Sequence, residues 1–519
     1  MYPIENAGSA AVVTECLWEM PDGVRLYTRY AVPKGLSRAP IVFMRTPYEG
    51  AHGGVPHDAS EYDGNMFIKR GYAVVLQHCR GRGDSEGECI PYKNEREDGL
   101  ASLEYIRRLP FYSGEIYLTG GSYLSSVHLS YLADKPEGVR GAALHIQTDR
   151  MYERDYRGGC NYNLCNIDWW ARMMERSFPE AQLSRAYERP YREAALRVFG
   201  RDVPEYTGRL IHNTNDGFWK SDSRERVMDT LDIPILLTEG WYDFYVDGMF
   251  SMWERLPESV RARSAMIVGP YGHNTSVGSD TDYPLENANL PSDWVVEWFD
   301  SIREGREYKY AERGRVRAYS IAEGTWHSYG YPTARSRVRI NVYPQAATKD
   351  NGEAFVYEYN PDAKNLLSRQ GGIFKESDFS PEDGILSLYS EPADEEIDLF
   401  GKIGINFEAS SDCEDTAFFA RVYFVEDGAA YYLTDTVASL SSLVGDYTPS
   451  RKVEVSLQTP PICFALKPGM QIRVDISSRG GRYMPHPNTK EHFAYATEVK
   501  IATNTVYTDG VAVELPLAE

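Results

Sequence analysis

The sequence is short of the features on which most accessory chemistry and most non-enzymatic roles depend. Its seven cysteines (Cys16, Cys79, Cys89, Cys160, Cys165, Cys413 and Cys463) are odd in number and none forms a CxxC pair, so neither a disulfide framework nor a structural zinc site is expected. Basic charge is scarce too: 55 Lys and Arg against 76 Asp and Glu give a formal net charge of −21. That argues against a general affinity for nucleic acid, which needs a basic footprint to displace counterions, and against docking on anionic lipid. No apolar run nears the ~20 residues of a membrane-spanning helix, and residues 1–25 lack a basic stretch followed by an apolar one. The chain therefore reads as cytoplasmic, with no nucleic-acid partner and no membrane contact. It also lacks repeats of solenoid period and long low-complexity tracts.

What is present is a chain of 519 residues, 42% hydrophobic and 25% charged, long enough for several packed domains. Its 38 tyrosines and nine tryptophans suit strand-rich domains and aromatic-lined pockets. From Ala39 onward, short apolar strands alternate with helical patterns: Pro40–Met44, Tyr72–Leu76, Ile116–Leu118 and Ala142–Ile146. Asn94 and Glu97 have the spacing of a capping box opening a helix with Leu100, Leu103 and Ile106 on one face. Such alternation predicts parallel βαβ units in a doubly wound sheet, an α/β fold. Residues 148–230 break the rhythm and read as a helical insertion over the sheet. The α/β pattern resumes at Ile233–Leu237 and Ala265–Val268 and ends with a helix at Trp294–Ile302. Beyond residue 305, alternating β-branched segments (Val316–Ser320, Val338–Tyr343, Ala417–Val425, Ile472–Ile476) predict a β-sandwich of the jelly-roll sort. The expected division is 1–147 and 231–305 for the core, 148–230 for the cap and 306–519 for the sandwich.

The strongest chemical signal is Leu118–Thr119–Gly120–Gly121–Ser122–Tyr123–Leu124–Ser125, an apolar strand running through a glycine turn and a serine into a helical pattern. A nucleophile elbow requires this arrangement, because the serine must stand on a strained turn with the helix N-terminus facing the developing oxyanion. The second glycine of G-x-S-x-G is absent, replaced by Leu124. A serine needs a general base and an orienting carboxylate, here expected in the order Ser, Asp, His at later strand ends. Asp243 follows the Ile235–Leu237 strand, with Glu239 and Asp247 as rival acids, and His273 follows Met266–Val268. The other histidines fit less well: His128 lies in the helix behind the elbow, His145 inside a strand, and His52 and His57 precede any plausible acid.

These motifs, with Met20–Leu26, Arg45–Thr46–Pro47–Tyr48, Arg80–Gly87, Glu97–Asp98–Gly99, Gly240–Trp241–Tyr242–Asp243, Gly269–His273 and Met484–Thr489, resemble the CocE/NonD group of α/β-hydrolases. That group contains cocaine esterase-like enzymes, X-prolyl dipeptidyl-peptidases and α-amino-acid ester hydrolases. The resemblance implies an α/β-hydrolase core, an inserted helical cap and a C-terminal all-β jelly roll. It implies Ser122 as nucleophile with Asp243 and His273, an oxyanion hole from the Tyr48 hydroxyl and the Tyr123 N–H, and no cofactor or metal. Departures from the group's pattern fall at Phe111, Ser125, Tyr271 and Lys490; Ser125 is expected to crowd the elbow helix and Tyr271 to alter packing beside His273.

Other features carry weaker signals. The Arg80–Gly87 loop lacks the Lys–Ser/Thr of a P-loop and reads as a structural turn with Arg–Asp pairing. Asp149, Glu153, Asp155 and Asp168 could hold a substrate ammonium, although a solvated acidic face is the plainer expectation. Trp169, Trp170 and Trp241 are the candidates for a substrate pocket, against a plainer reading of the Trp169–Trp170 pair as cap core. The function expected is a serine hydrolase cleaving a small-molecule ester or amide, or a short peptide, through an acyl-enzyme. The alternatives are an X-Pro dipeptidyl-peptidase-type exopeptidase, or a carbohydrate- or protein-binding module with an inactive hydrolase domain. A homo-oligomer is left open.

Overall fold

The computed structural model of the chain describes residues 3–4, 10–48, 64–174, 180–278, 281–330, 336–344, 353–369 and 371–518. An eleven-stranded sheet organises the N-terminal part. Its strands are β1 (Pro3–Ile4), β2 (Ala11–Glu19), β3 (Arg25–Pro33), β4 (Ala39–Thr46), β5 (Ala73–His78), β6 (Tyr112–Gly121), β7 (Val139–His145), β8 (Ile235–Gly240), β9 (Ala265–Gly269), β10 (Val316–Ser320) and β11 (Thr325–Tyr329). The spatial order is β1-β2-β3-β5-β4-β6-β7-β8-β9-β10-β11. Neighbours from β5 to β10 are parallel, and the edges are antiparallel. Strands β4, β5, β8 and β9 are buried along their whole length, as expected when helices cover both faces of a parallel sheet. Helices Glu95–Arg107, Tyr123–Leu132 and Val246–Arg255 supply Leu103, Leu129 and Met249 to one face. Helix Trp294–Arg303 supplies Val295, Trp298 and Phe299 to the other.

Between β7 and β8, short helices and a two-residue hairpin (Tyr156–Arg157 with Cys160–Asn161) form the insertion, with Ile167, Trp170, Val198, Tyr206 and Leu210 in a core of its own. The C-terminal part is two antiparallel sheets of five and six strands, packed as a sandwich. No described helix is long and apolar enough to cross a membrane.

Three expectations are corrected. Val316–Ser320 does not open the sandwich. As β10 it lies parallel to β9, Met266 opposite Val316, because the preceding Trp294–Arg303 helix makes a crossover that returns the chain to the first sheet. The Val338–Tyr343 run is not one strand: Val342 turns into the core, leaving Arg337–Asn341 in one sheet and Tyr343–Pro344 in the other. Asn94 makes no side-chain cap bond, since its backbone (φ −111°, ψ 6°) lacks the extended geometry a capping side chain needs.

What begins the Glu95–Arg107 helix is a buried ion pair. Arg45 on β4 is fully buried and meets Glu95 Oε2 at 2.8 Å, while its Nε donates to Gln77 Oε1 on β5 at 2.9 Å. Tyr123, the first residue of the next helix, donates its hydroxyl to Glu95 Oε1 at 2.8 Å. Removing one partner of such a pair strands the other in a low dielectric. Arg45→Met should therefore lower unfolding free energy by about 3–5 kcal/mol, measured by urea denaturation; a loss within error of zero would show that the pair is not structural.

Candidate active site

Strand β6 ends at Gly121, and Ser122 takes φ 55°, ψ −124° before the helix Tyr123–Leu132 begins. A non-glycine residue holds such a conformation only when its surroundings over-determine it. Here the Ser122 N–H donates to the His145 carbonyl at 2.9 Å. The Ser122 carbonyl accepts from Gln147 Nε2 at 3.0 Å and from the Ser125 and Ser126 N–H groups. The missing second glycine also has an account. A Cβ on Gly120 would lie 2.5 Å from the Leu124 Cβ, so the bare Gly120 is what lets Leu124 fold over the strand end. Ser125 does not crowd the helix: its Oγ donates to the Gly120 carbonyl and accepts from the His145 N–H, tying β6 to β7.

The three strand-end residues meet. His273 Nδ1 lies 2.7 Å from Asp243 Oδ2, and Nε2 lies 2.9 Å from Ser122 Oγ. With the Nδ1 proton directed at the carboxylate, the Nε2 lone pair faces the serine hydroxyl. Asp243 is buried, and its Oδ1 accepts from the Tyr245 N–H at 3.0 Å. The Phe244 ring stacks on the imidazole at 4.7 Å. Of the rival acids, Asp247 is bound by Arg157 and Lys402, and Glu239 is buried beside Asp243. His128 and His145 are buried, which pushes each down to about 3. His52 and His57 lie outside the described residues.

Tyr48, two residues beyond β4, accepts a hydrogen bond from Trp169 Nε1 at 3.2 Å, which leaves its own O–H free to donate toward Ser122. Burial pushes this phenol up to about 12, so it stays protonated. The Tyr123 N–H opens its helix and so has no intrahelical acceptor. Trp169 leans on Tyr123 and Tyr92, at 5.2 and 5.8 Å between centroids. Of the other two tryptophans named as pocket candidates, one is core and one borders a cavity beside Asp243. Trp170 is buried in the insertion's core against Tyr206. Trp241 is buried with its Nε1 donating to the Tyr319 carbonyl and its ring on Phe250 and Phe400; its outlook is onto a cavity of about 50 Å³ shared with Asp243 and Phe244.

Two of the insertion's acids, Asp149 and Asp155, are buried rather than part of a solvated face, whereas Asp168 lies at the surface. Asp149 is buried against Arg255, Asp155 is buried between Arg154 and Arg209, and Asp168 pairs with Arg172. Glu153, half-buried near Arg150, is pushed up to about 7 by burial. In the Arg80–Gly87 loop, Arg80 bridges Asp22 and Asp98. Arg82 Nε donates to the Pro47 carbonyl at 2.7 Å and its NH1 to the Met173 carbonyl at 3.1 Å, joining the Tyr48 turn to the end of the Trp169 helix. Of the departures, Tyr271 does not disturb His273: its ring folds over Gly269 and its hydroxyl donates to the Ala288 carbonyl at 2.6 Å. Phe111 packs on Tyr30, and Lys490 is exposed. Sequence reasoning passed over Gln147, Arg82 and Phe244, although Gln147 and Phe244 stand just beyond strand ends, where site residues were being sought.

Residues 22–275 match the family model for the X-Pro dipeptidyl-peptidases (S15 family), and residues 309–512 match that for the X-Pro dipeptidyl-peptidase C-terminal non-catalytic domain. The chain belongs to this family of serine hydrolases. A cocaine esterase from Rhodococcus sp. (strain MB1 Bresler) is 24% identical, with 91% of each chain covered. An α-amino acid ester hydrolase shares the fold at TM-score 0.79 and 18% identity, over 99% of this chain and 98% of that one. An aminopeptidase from the marine sediment archaeon Thaumarchaeota archaeon does so at TM-score 0.76 and 18% identity, over the same shares.

The elbow yields its own test. Gly120→Ala should cost about 1–3 kcal/mol, the usual penalty for overpacking, and slow fluorophosphonate labelling. Gly121→Ala, whose Cβ would meet nothing nearer than 3.5 Å, should leave Tm unchanged. Equal Tm for both variants would refute the assigned role of Gly120.

Proposed function

We propose that this serine hydrolase is an acyl esterase or amidase that works through an acyl-enzyme on Ser122, with His273 as general base and Asp243 as its orienting carboxylate. The observation that carries the reading is the imidazole held between Asp243 and Ser122 with both contacts at hydrogen-bond length. His273 Nε2 takes the Ser122 proton as Oγ bonds to the substrate carbonyl carbon, and the carbonyl electron pair moves onto oxygen. Tyr48 and the Tyr123 N–H donate to that oxyanion. Collapse of the intermediate expels the leaving group, which takes the proton from His273. Water repeats the sequence to free the acid. The intact relay speaks against a purely binding role.

The state of the insertion's acids favours an uncharged acyl group. Asp149 and Asp155 are each neutralised by arginine in the protein interior, and an X-Pro exopeptidase would need an unpaired carboxylate for the substrate's α-amine. The family's name keeps the exopeptidase as the second reading. Chromogenic acyl esters and aminoacyl amides, each with a free and a blocked amine, separate the two: turnover independent of the amine is expected, and strict dependence on it would establish the exopeptidase. We further propose a core of residues 1–147 and 231–305 extended by β10 and β11 at one side of its sheet, a cap at 148–230, and a sandwich over the rest of the chain. Residence in the cytoplasm fits the seven cysteines, all present as free thiols.

Ser122→Ala should abolish probe labelling and ester turnover while leaving Tm unchanged, and residual turnover near wild type would overturn the triad. Because only a neutral imidazole accepts the serine proton, kcat/KM should rise with pH across the histidine range; a flat profile from pH 5 to 8 with acylation rate-limiting would contradict a histidine base. Tyr48→Phe keeps the ring, so kcat rather than KM should fall, by roughly a hundred- to a thousandfold for one oxyanion donor. A Phe variant with wild-type kcat on such a substrate would assign the second donor to another group.

A further inference from the structure

The residue beside the triad that the mechanism leaves unused is Glu239. It is the penultimate residue of β8, fully buried. It stands two and four residues along the strand from Leu237 and Ile235, so its side chain points to the same face of the sheet as theirs. One carboxyl oxygen, Oε1, accepts the Gly240 N–H at 2.9 Å. The other, Oε2, is buried and receives no donor. Its side chain lies within hydrogen-bonding reach of Asp243. Among the described residues no arginine, lysine or histidine pairs with Glu239.

Two carboxylates in contact in a buried, cation-free position cannot both be ionised, because burial and like charge each oppose the second negative charge. The proton's place follows from the partners. Asp243 receives the Tyr245 N–H and the His273 Nδ1–H, two donors that favour its ionised form. Glu239 receives only the N–H of its own neighbour. Oε2 without a donor is what a carboxylic acid O–H turned toward Asp243 looks like. Burial first, and then the Asp243 charge, push the Glu239 carboxyl well above the usual carboxylate range, in agreement with the geometry.

We propose that Glu239 is a positioning residue of the triad, a neutral carboxylic acid that donates its O–H to Asp243, fixing that carboxylate's orientation and drawing off part of its charge. The role rests on the triad assignment above. It gives Asp243 a third donor, and it moderates the pull of Asp243 on the His273 proton. The other charged and titratable groups around this arm are already occupied. Asp247 is bound by Arg157 and Lys402, Arg154 pairs with Asp155 and lies over Phe244, and the Tyr245 phenol is held far above its ordinary value by burial. His145 on the neighbouring strand is held neutral by burial.

The test is a pair of full-length variants, Glu239→Gln and Glu239→Leu, read by kcat/KM against pH on an acylation-limited ester, by Tm, and by fluorophosphonate labelling. Gln keeps an N–H donor for Asp243 and an acceptor for the Gly240 N–H and alters no charge, so activity and the acidic limb of the profile should stay at wild type. Leu fills the space without a donor. Its kcat/KM should fall about 10- to 100-fold, the effect of losing a hydrogen bond to a charged group. Its acidic limb should move to higher pH, because an undivided Asp243 charge holds the imidazolium proton more tightly. A purely structural role would lower Tm in both variants without moving the limb. If Glu239→Gln shifts the limb to lower pH, Glu239 was ionised and the proposal is overturned. It is equally overturned if a folded Glu239→Leu keeps wild-type rate and profile. Should Leu fail to fold, the Gln profile alone decides. Ser122→Ala run alongside separates the two assignments: turnover retained there sinks the triad itself, whereas a dead Ser122→Ala beside an unaffected Leu variant sinks only the role of Glu239.

Discussion

The contact on which the rest of the site depends is the buried pairing of Arg45 with Glu95, closed by the Tyr123 hydroxyl on the same carboxylate. Arg45 belongs to the strand that delivers Tyr48, and Tyr123 opens the helix whose first N–H is the other donor proposed for the oxyanion. One ion pair therefore sets the distance between the two donors of the proposed oxyanion hole, although neither donor takes part in it. A buried pair contributes little net stability against an apolar replacement, yet it is costly to break by halves. That asymmetry suits a device whose value is geometric. Gln77 and Thr28 extend the network across β5 and β3, so the sheet's hydrogen-bonded frame carries the alignment.

Strand ends do the remaining placement. Ser122 follows β6, Asp243 follows β8 and His273 follows β9, all at the C-terminal edge of parallel strands, where the backbone leaves the ladder and side chains are freed for chemistry. The strain at Ser122 is held by groups from the neighbouring strand end, the His145 carbonyl and Gln147. The insertion then closes the site from above. Trp169 reaches down to the Tyr48 oxygen, and Arg82 ties the carbonyl of Pro47 to the end of the Trp169 helix. Cap and core thus meet at the hydroxyl proposed to donate to the developing oxyanion.

The order of Ser122, Asp243 and His273, which the fold brings into contact, was legible in the sequence because each follows a local pattern: an apolar run, a turn, then a residue of the expected type. The same local logic misjudged features decided by distant partners. Trp169 and Trp170 are adjacent in a helix, and only the helix's orientation against Tyr48 makes one a site residue and the other core. Val316–Ser320 alternates like any sandwich strand, and its membership of the first sheet depends on the crossover before it. The insertion's acids looked like a solvated surface since the arginines that bury them, Arg255 and Arg209, are 106 and 54 residues away from Asp149 and Asp155. Ser125 read as a steric intruder because its two acceptors and donor come from β6 and β7 rather than from its own helix.

A chain with a net charge of −21 raises the question of how it stabilises a further negative charge at its own centre. The arrangement answers by keeping the interior acids out of the account. Asp149, Asp155 and Asp247 are compensated by buried or half-buried arginines, and Glu239 in the proposed state is uncharged. Asp243 is then the anion that the oxyanion would feel most strongly, and it is offset in the transition state by the imidazolium formed between them. The Phe244 ring stacks on the imidazole, and the Trp169, Tyr92 and Tyr123 rings pack together beside Tyr48, where a buried neutral donor acts with more force than it would in water. The surface can therefore be strongly acidic while the acid nearest the chemistry, the buried Asp243, is balanced locally by the imidazole it contacts.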